Sequence, residues 1–200
     1  MREAVIVSTA RTGIGRAYKG SLNNTKSPSL AGHVIAESVK RAGIDGAEVE
    51  DVVLGTVLSI GTAGMNLARN AALAAGLPVT VPGQTMDRQC ASGLMAIATA
   101  AKQVMVDGMD VVVAGGQENI TAEQKAYFES AMASKDAQLE KRVPHVYMPM
   151  LMTAEFVAKK YGISREAQDL YALQSLQRTA QAHQRWQHRR WSPLRHDRFT

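Results

Sequence analysis

The sequence is poor in cysteine: among 200 residues there is one, Cys90. A single thiol excludes the internal disulfide framework on which small secreted domains rely. Long hydrophobic runs are missing as well. No apolar stretch approaches the roughly eighteen residues of a membrane-spanning helix, and the opening MREAVIVSTA reaches Arg11 too soon to read as a secretory leader. No group of Cys, His and Asp has the spacing of metal ligands, so no metal site is expected. Internal repeats and low-complexity segments are also lacking. An excess of one charge is absent from most of the chain. The net charge is +5, but residues 184–200 carry five of the 23 basic side chains and one of the 18 acidic ones, leaving 18 basic and 17 acidic before them. The body is therefore nearly neutral, and nucleic acid is not an expected partner. What remains is a soluble, cytoplasmic protein, with 46% hydrophobic residues and length enough for a sizeable core.

Short β-branched runs alternate with Ala-rich segments up to about residue 116. AVIVS (4–8) reads as a buried strand, and SLAGHVIAESVKRAG as a helix carrying Leu30, Val34 and Val39 and closed by Gly43. DVVLGTVL (51–58) reads as a strand, NLARNAALAAG (66–76) as a helix stopped by Gly76, and VPGQTM as a third extended segment. Residues 91–106 follow as a helix with Leu94, Ala98, Ala101 and Met105 on one face, then DVVVAGG (110–116) as a fully buried strand. This order favours a mostly parallel sheet with helices on its faces, and ligands at the carboxyl ends of its strands. Residues 117–150 lose the rhythm and read as an irregular lobe. Helices return over 153–162 and from an N-cap at Ser164 to about His183.

On residue type alone Cys90 reads equally well as a small core hydrophobe and as a nucleophile. A thiol where an extended segment meets a helix N-terminus lies in a setting that favours the reactive thiolate. The small residues Ala91, Ser92 and Gly93 would let a substrate carbonyl approach the sulfur and the backbone amides. Other candidates are weaker. Gly13 and Gly15 lack the third glycine of a dinucleotide fingerprint, since Tyr18 stands in its place, and a tight turn with positive φ is the simpler reading. His33 reads as a satisfied surface or partly buried helix residue rather than a catalyst; nothing in the spacing selects His145; Met148, Met150 and Met152 suit either an apolar lining or ordinary packing.

Five segments then resemble one family in order. DRQCASGLMAIATAAKQV is similar to the active-site segment of the thiolases, enzymes that make or cleave 3-oxoacyl-CoA. VIVSTARTGIGRAYKGSL, NLARNAALAAGLP, VVVAGGQENIT and MLMTAEFVAKKYGISREAQDLYALQSLQRTAQA resemble successive family segments. The resemblance implies an α/β, thiolase-like fold: a mixed sheet with helices on both faces, one half of an αβαβα layered arrangement, plus part of a loop domain. It divides the chain into a core unit (1–120), a partial substrate-covering loop domain (121–183) and a basic tail (184–200). It further implies that Cys90 accepts the acyl group and lends its own N–H to an oxyanion hole, that Glu118 braces the active-site loops, and that Met150 lines the pantetheine and acyl channel. Acyl-CoA and CoA are the implied partners, with no further cofactor, in a homo-oligomer.

The chain departs from the family in three ways. Pro149, Met150 and Leu151 stand where many members have His-Met-Gly, which implies a differently shaped acyl pocket. The family is roughly twice as long, and its later Asn-Glu-Ala-Phe, Gly-His-Pro and Cys-x-Gly-x-Gly motifs are not found, so the chain alone is expected to be a poor enzyme; each missing acid–base group is worth about 10²- to 10⁴-fold. The tail, rich in Arg, Trp and His, reads as out-of-frame translation or as a basic anion-binding peptide. An acyl-carrier-protein-dependent condensing enzyme and a non-catalytic acyl-CoA-binding remnant stay open as alternatives.

Overall fold

The computed structural model describes residues 2–187, and for 185–187 the backbone only. The tail assigned to 184–200 therefore lies almost wholly outside the described residues. Two compact units divide the chain, the first running through Ser130 and the second from Ala131.

The first unit is built on three strands, β1 (Asp51–Gly55), β2 (Gly83–Met86) and β3 (Val112–Gly116), in the order β2-β1-β3 and all parallel. Among the described residues the sheet has no antiparallel strand. Val53 of the central strand aligns with Gln84 on one side and Ala114 on the other. Alternation along β1 splits the core in two. Val52 and Leu54 pack with Leu67, Ala68, Ala71 and Ala72 of α2 (Leu67–Ala74) and with Ala31, Ile35 and Val39 of α1 (Ser27–Ala42). Val53 points the other way, to Ala96 and Ala100 of α3 (Ser92–Lys102) and to Met86, Val112 and Ala114. Helices therefore cover both faces. Each fully buried valine or leucine here stabilises the fold by about 1.5–3 kcal/mol.

Local signals set the element ends. Pro28 opens the first turn of α1, where a missing N–H costs nothing. Gly43 closes it at φ 71°, donating its N–H to the Lys40 carbonyl at 3.2 Å. After α3 a single π-helical turn, Gln103–Asp107, brings the Gln103 amide to Asp51, whose buried carboxylate accepts it at 2.7 Å. One end of α3 is thereby tied to the start of β1.

Several expectations fail for identifiable reasons. AVIVS forms no strand. Its segment runs extended, held by Arg2 to the Gly108 carbonyl and Asp110, by the Ser8 hydroxyl on the Ser38 carbonyl and by Arg41 on the Thr9 carbonyl. No described strand pairs with it, and Val5, Ile6 and Val7 stay 74–77% exposed. A strand needs a neighbouring edge to satisfy its backbone, and β-branched composition does not supply one. For a similar reason β3 is half-buried rather than fully buried: it is an edge strand, paired among the described residues with β1 alone. In α3 the buried positions are Ser92, Ala96 and Ala100, and Leu94 lies outside, because the packing face is chosen by the smallest side chains and the closest approach. The stretch 117–150 is largely helical, containing α4 (Ile120–Ala133) and α5 (Ala137–Arg142). Neither Gly13 nor Gly15 has positive φ; the left-handed residue of that loop is Tyr18, at φ 63°. Its amide donates to Thr121 Oγ1 at 2.8 Å and its hydroxyl to Gln124 Oε1 at 2.7 Å, which holds the strained backbone against α4.

The second unit contains α5, α6 (Met150–Tyr161) and α7 (Arg165–Gln187). Asp136 caps α5 through the Gln138 and Leu139 amides, and Ser164 caps α7 by accepting the Ala167 amide at 3.2 Å. No residue of α5 or α6 is buried.

Candidate active site

Cys90 lies in the short connection between β2 and α3, at the carboxyl end of the parallel sheet. Three hydrogen bonds made by two side chains fix this elbow. The Asp87 carboxylate accepts the Gln89 amide at 2.7 Å; the buried Ser92 hydroxyl accepts the Arg88 amide at 2.8 Å and donates to the Gln89 carbonyl at 2.6 Å. Gln89 is thereby held at φ 50°, a left-handed conformation that a residue with a Cβ adopts only under such constraint. The sharp turn leaves Cys90 exposed, one residue ahead of the Ala91 N-cap. No side chain caps α3. The Ala91 and Ser92 amides donate instead to the Arg88 and Gln89 carbonyls, at 3.1 and 3.0 Å, and the positive end of the helix dipole lies next to Cys90 in the chain.

Close backbone contact explains why α3 begins at this point. A Cβ on Gly55, at the end of β1, would come within 2.3 Å of the Ser92 carbonyl carbon and 2.5 Å of the Gly93 nitrogen. A Cβ on Gly116, at the end of β3, would meet Gly93 Cα at 3.2 Å. Three glycines therefore let the first turn of α3 seat directly on the ends of two strands. Ala91 is exposed, the buried Ser92 fastens the elbow, and Gly93 lies at the close backbone approach. The sequence offered a signal for this: glycine ends both β-runs.

Glu118 lies two residues after the end of β3. Its carboxylate accepts Thr56 Oγ1 at 3.1 Å and the Leu58 amide at 3.0 Å on one oxygen, and the Val57 amide at 3.0 Å on the other. It therefore ties the loop after β1 to the segment after β3. Asp87 and Gly55 were not singled out from sequence, although an Asp two residues before a left-handed position is a recognisable turn former.

Met150 is the first residue of α6, in the second unit, and is 74% exposed. Met152 is also exposed and Met148 half-buried, so these methionines do not fill a core. His145 stacks at a tilt on Phe156, with 6.1 Å between ring centres, and His33 is half-buried on α1. Among the described residues no cluster of His, Cys, Asp and Glu is arranged to hold a metal ion, and no helix is long and apolar enough to cross a membrane.

The chain matches the family model of the thiolase N-terminal domain over residues 4–190. The chain belongs to that family. Its relatives include the 3-ketoacyl-CoA thiolase of Bacillus subtilis, 42% identical over 91% of this chain and 46% of that protein. The acetyl-CoA acetyltransferase of Cupriavidus necator is 41% identical over 92% of this chain and 49% of its own length. Among solved structures, the Bacillus anthracis acetyl-CoA acetyltransferase superposes with a TM-score of 0.76 at 35% identity, covering 93% of this chain and 49% of that one. The chain spans about half the length of the relatives it matches.

Proposed function

We propose that the chain is the nucleophile-bearing half of a thiolase-type acyltransferase that forms or cleaves 3-oxoacyl-CoA through an acyl-cysteine. The observation that carries this reading is the elbow: an exposed thiol on a strained, three-point-fastened turn beside an uncapped helix N-terminus. In the first step the Cys90 sulfur, its proton given up, attacks the thioester carbonyl carbon of an acyl-CoA. A new S–C bond forms, the bond to the CoA sulfur breaks, and CoA leaves as a thiolate that takes up a proton. While the carbonyl oxygen carries negative charge, the N–H of Cys90 would stabilise it as part of an oxyanion hole. The acyl group then passes to the α-carbon of a second acyl-CoA, or to CoA in the cleavage direction.

In this reading Glu118 keeps the loop after β1 in register with the nucleophile, and Met150 contributes to the pantetheine and acyl channel from a substrate-covering unit. Proton transfer at the α-carbon requires groups beyond those found here, so the chain alone should acylate but not complete turnover. Homo-oligomerisation and a cytoplasmic location belong to the same proposal. The experiment is incubation of the full chain with acetyl-CoA, acetoacetyl-CoA or an acetylated acyl carrier protein, followed by intact-mass measurement and peptide mapping. One hydroxylamine-labile acetyl group on Cys90, from the CoA donors and absent in Cys90→Ser, is the expected result. Acylation from the carrier protein alone would move the reading to a condensing enzyme, and no Cys90-dependent acylation from any donor would overturn it.

A further inference from the structure

Behind the loop that Glu118 holds lies a polar cluster that the acyl chemistry does not use. Glu123, on the first turns of α4, is 1% exposed, yet among the described residues no ion pair reaches it. One of its carboxylate oxygens accepts Thr62 Oγ1 at 2.6 Å and Ser27 Oγ at 3.3 Å. The Ser27 amide donates to Thr62 Oγ1 at 3.3 Å, and the Gln117 side-chain amide donates to Ser27 Oγ at 3.2 Å. Both hydroxyls approach the same Glu123 oxygen, and Thr62 Oγ1 also lies 3.1 Å from Ser27 Oγ. Two buried acceptor oxygens are left without partners, Glu123 Oε2 and Gln117 Oε1.

Buried acceptors left without a donor are costly, and a buried carboxylate without a counter-charge more so. A water molecule would satisfy the oxygens but leave the charge uncompensated. A cation satisfies both. The donor set is wholly oxygen, namely one carboxylate, two hydroxyls and one amide carbonyl, which is the chemistry of hard cations. With a single negative charge it matches a monovalent ion. We infer that Glu123, Gln117, Ser27 and Thr62 form a buried site for a monovalent cation, sodium or potassium. Such an ion would join the start of α1, the turn at Gly61–Ala63, the first turns of α4 and the residue preceding Glu118, and so stiffen the base of the loop after β1.

The test is the thermal midpoint of the full chain in potassium, sodium, magnesium or choline chloride at matched ionic strength. Sodium or potassium should raise the midpoint saturably over choline, by roughly 3–6 °C at tenfold excess over the dissociation constant. In Glu123→Gln that dependence should vanish. Should that variant fail to fold, Gln117→Ala should shift the half-saturating concentration upward about tenfold. Equal midpoints in all salts would overturn the site, as would a response to magnesium alone or a cation response that survives Glu123→Gln and Gln117→Ala unchanged.

Discussion

Replacing Gly55 by alanine adds one methyl group at the most crowded backbone contact of the site. The new Cβ would stand 2.3 Å from the Ser92 carbonyl carbon and 2.5 Å from both the Gly93 nitrogen and the Ser92 oxygen. Contacts this short against backbone are not relieved by a rotamer change. Either the end of β1 or the first turn of α3 has to move, and β1 is held on both sides by its parallel partners. Overpacking of this kind costs about 2–3 kcal/mol, and in a chain of this size the thermal midpoint should fall by roughly 4–12 °C. Two controls separate crowding from the loss of glycine as such. A Cβ on Gly43 would meet nothing within 4 Å, so Gly43→Ala carries only the left-handed backbone penalty, about 1 kcal/mol. One on Gly115 would touch only Leu54 Cδ2 at 3.9 Å, and Gly115→Ala should stay within about 0.5 kcal/mol of the parent. Urea unfolding followed by far-ultraviolet circular dichroism measures all three. If Gly55→Ala proves no more costly than Gly43→Ala, α3 does not seat on the strand end and the account of how Cys90 is positioned collapses.

Ser92→Ala removes the hydroxyl that serves the Arg88 amide and the Gln89 carbonyl; a loss of about 1–3 kcal/mol in urea unfolding is expected, and an unchanged midpoint would show that the elbow holds without it. Cys90, being exposed, should be alkylated by iodoacetamide to one equivalent without denaturant, and modification only after unfolding would contradict that placement. Met150→Ala should leave stability within about 0.5 kcal/mol because the side chain is exposed; in a two-half enzyme carrying Cys90 it should change KM or acyl-length preference, and no change in either removes Met150 from the channel. The Glu166 carboxyl is held below its ordinary value of 4.5 by hydrogen bonds from its own amide and then the Ser164 hydroxyl. A depressed folded-state pKa stabilises above the unfolded value and loses that contribution as pH falls through the lowered one, so the start of α7 should stay ordered at pH 5 and fray below 4.5. Ser164→Ala should move the fraying to higher pH, as read from amide chemical shifts of residues 165–168.

The sequence by itself determined what depends on neighbours along the chain. Gly43 closes α1 and Ser164 opens α7 because capping is satisfied within a few residues, and the Val-rich run at 51–55 forms a strand because it is apolar on both faces. The order of β-runs and Ala-rich segments was enough for a parallel sheet covered on both sides, and for the lone thiol at a strand-to-helix junction. What tertiary structure alone decided was everything that needs a partner distant in sequence. Val5, Ile6 and Val7 have the composition of a strand but meet no edge to pair with, and the face that α3 buries follows Gly55 and Gly116 rather than its own largest side chains. The carboxylate of Glu118 finds amides some sixty residues away, and Glu123 is buried among hydroxyls from two other segments. Capping and periodicity are local energies and can be summed along the chain; strand pairing, close backbone approach and polar burial are contact energies between segments that only the fold brings together.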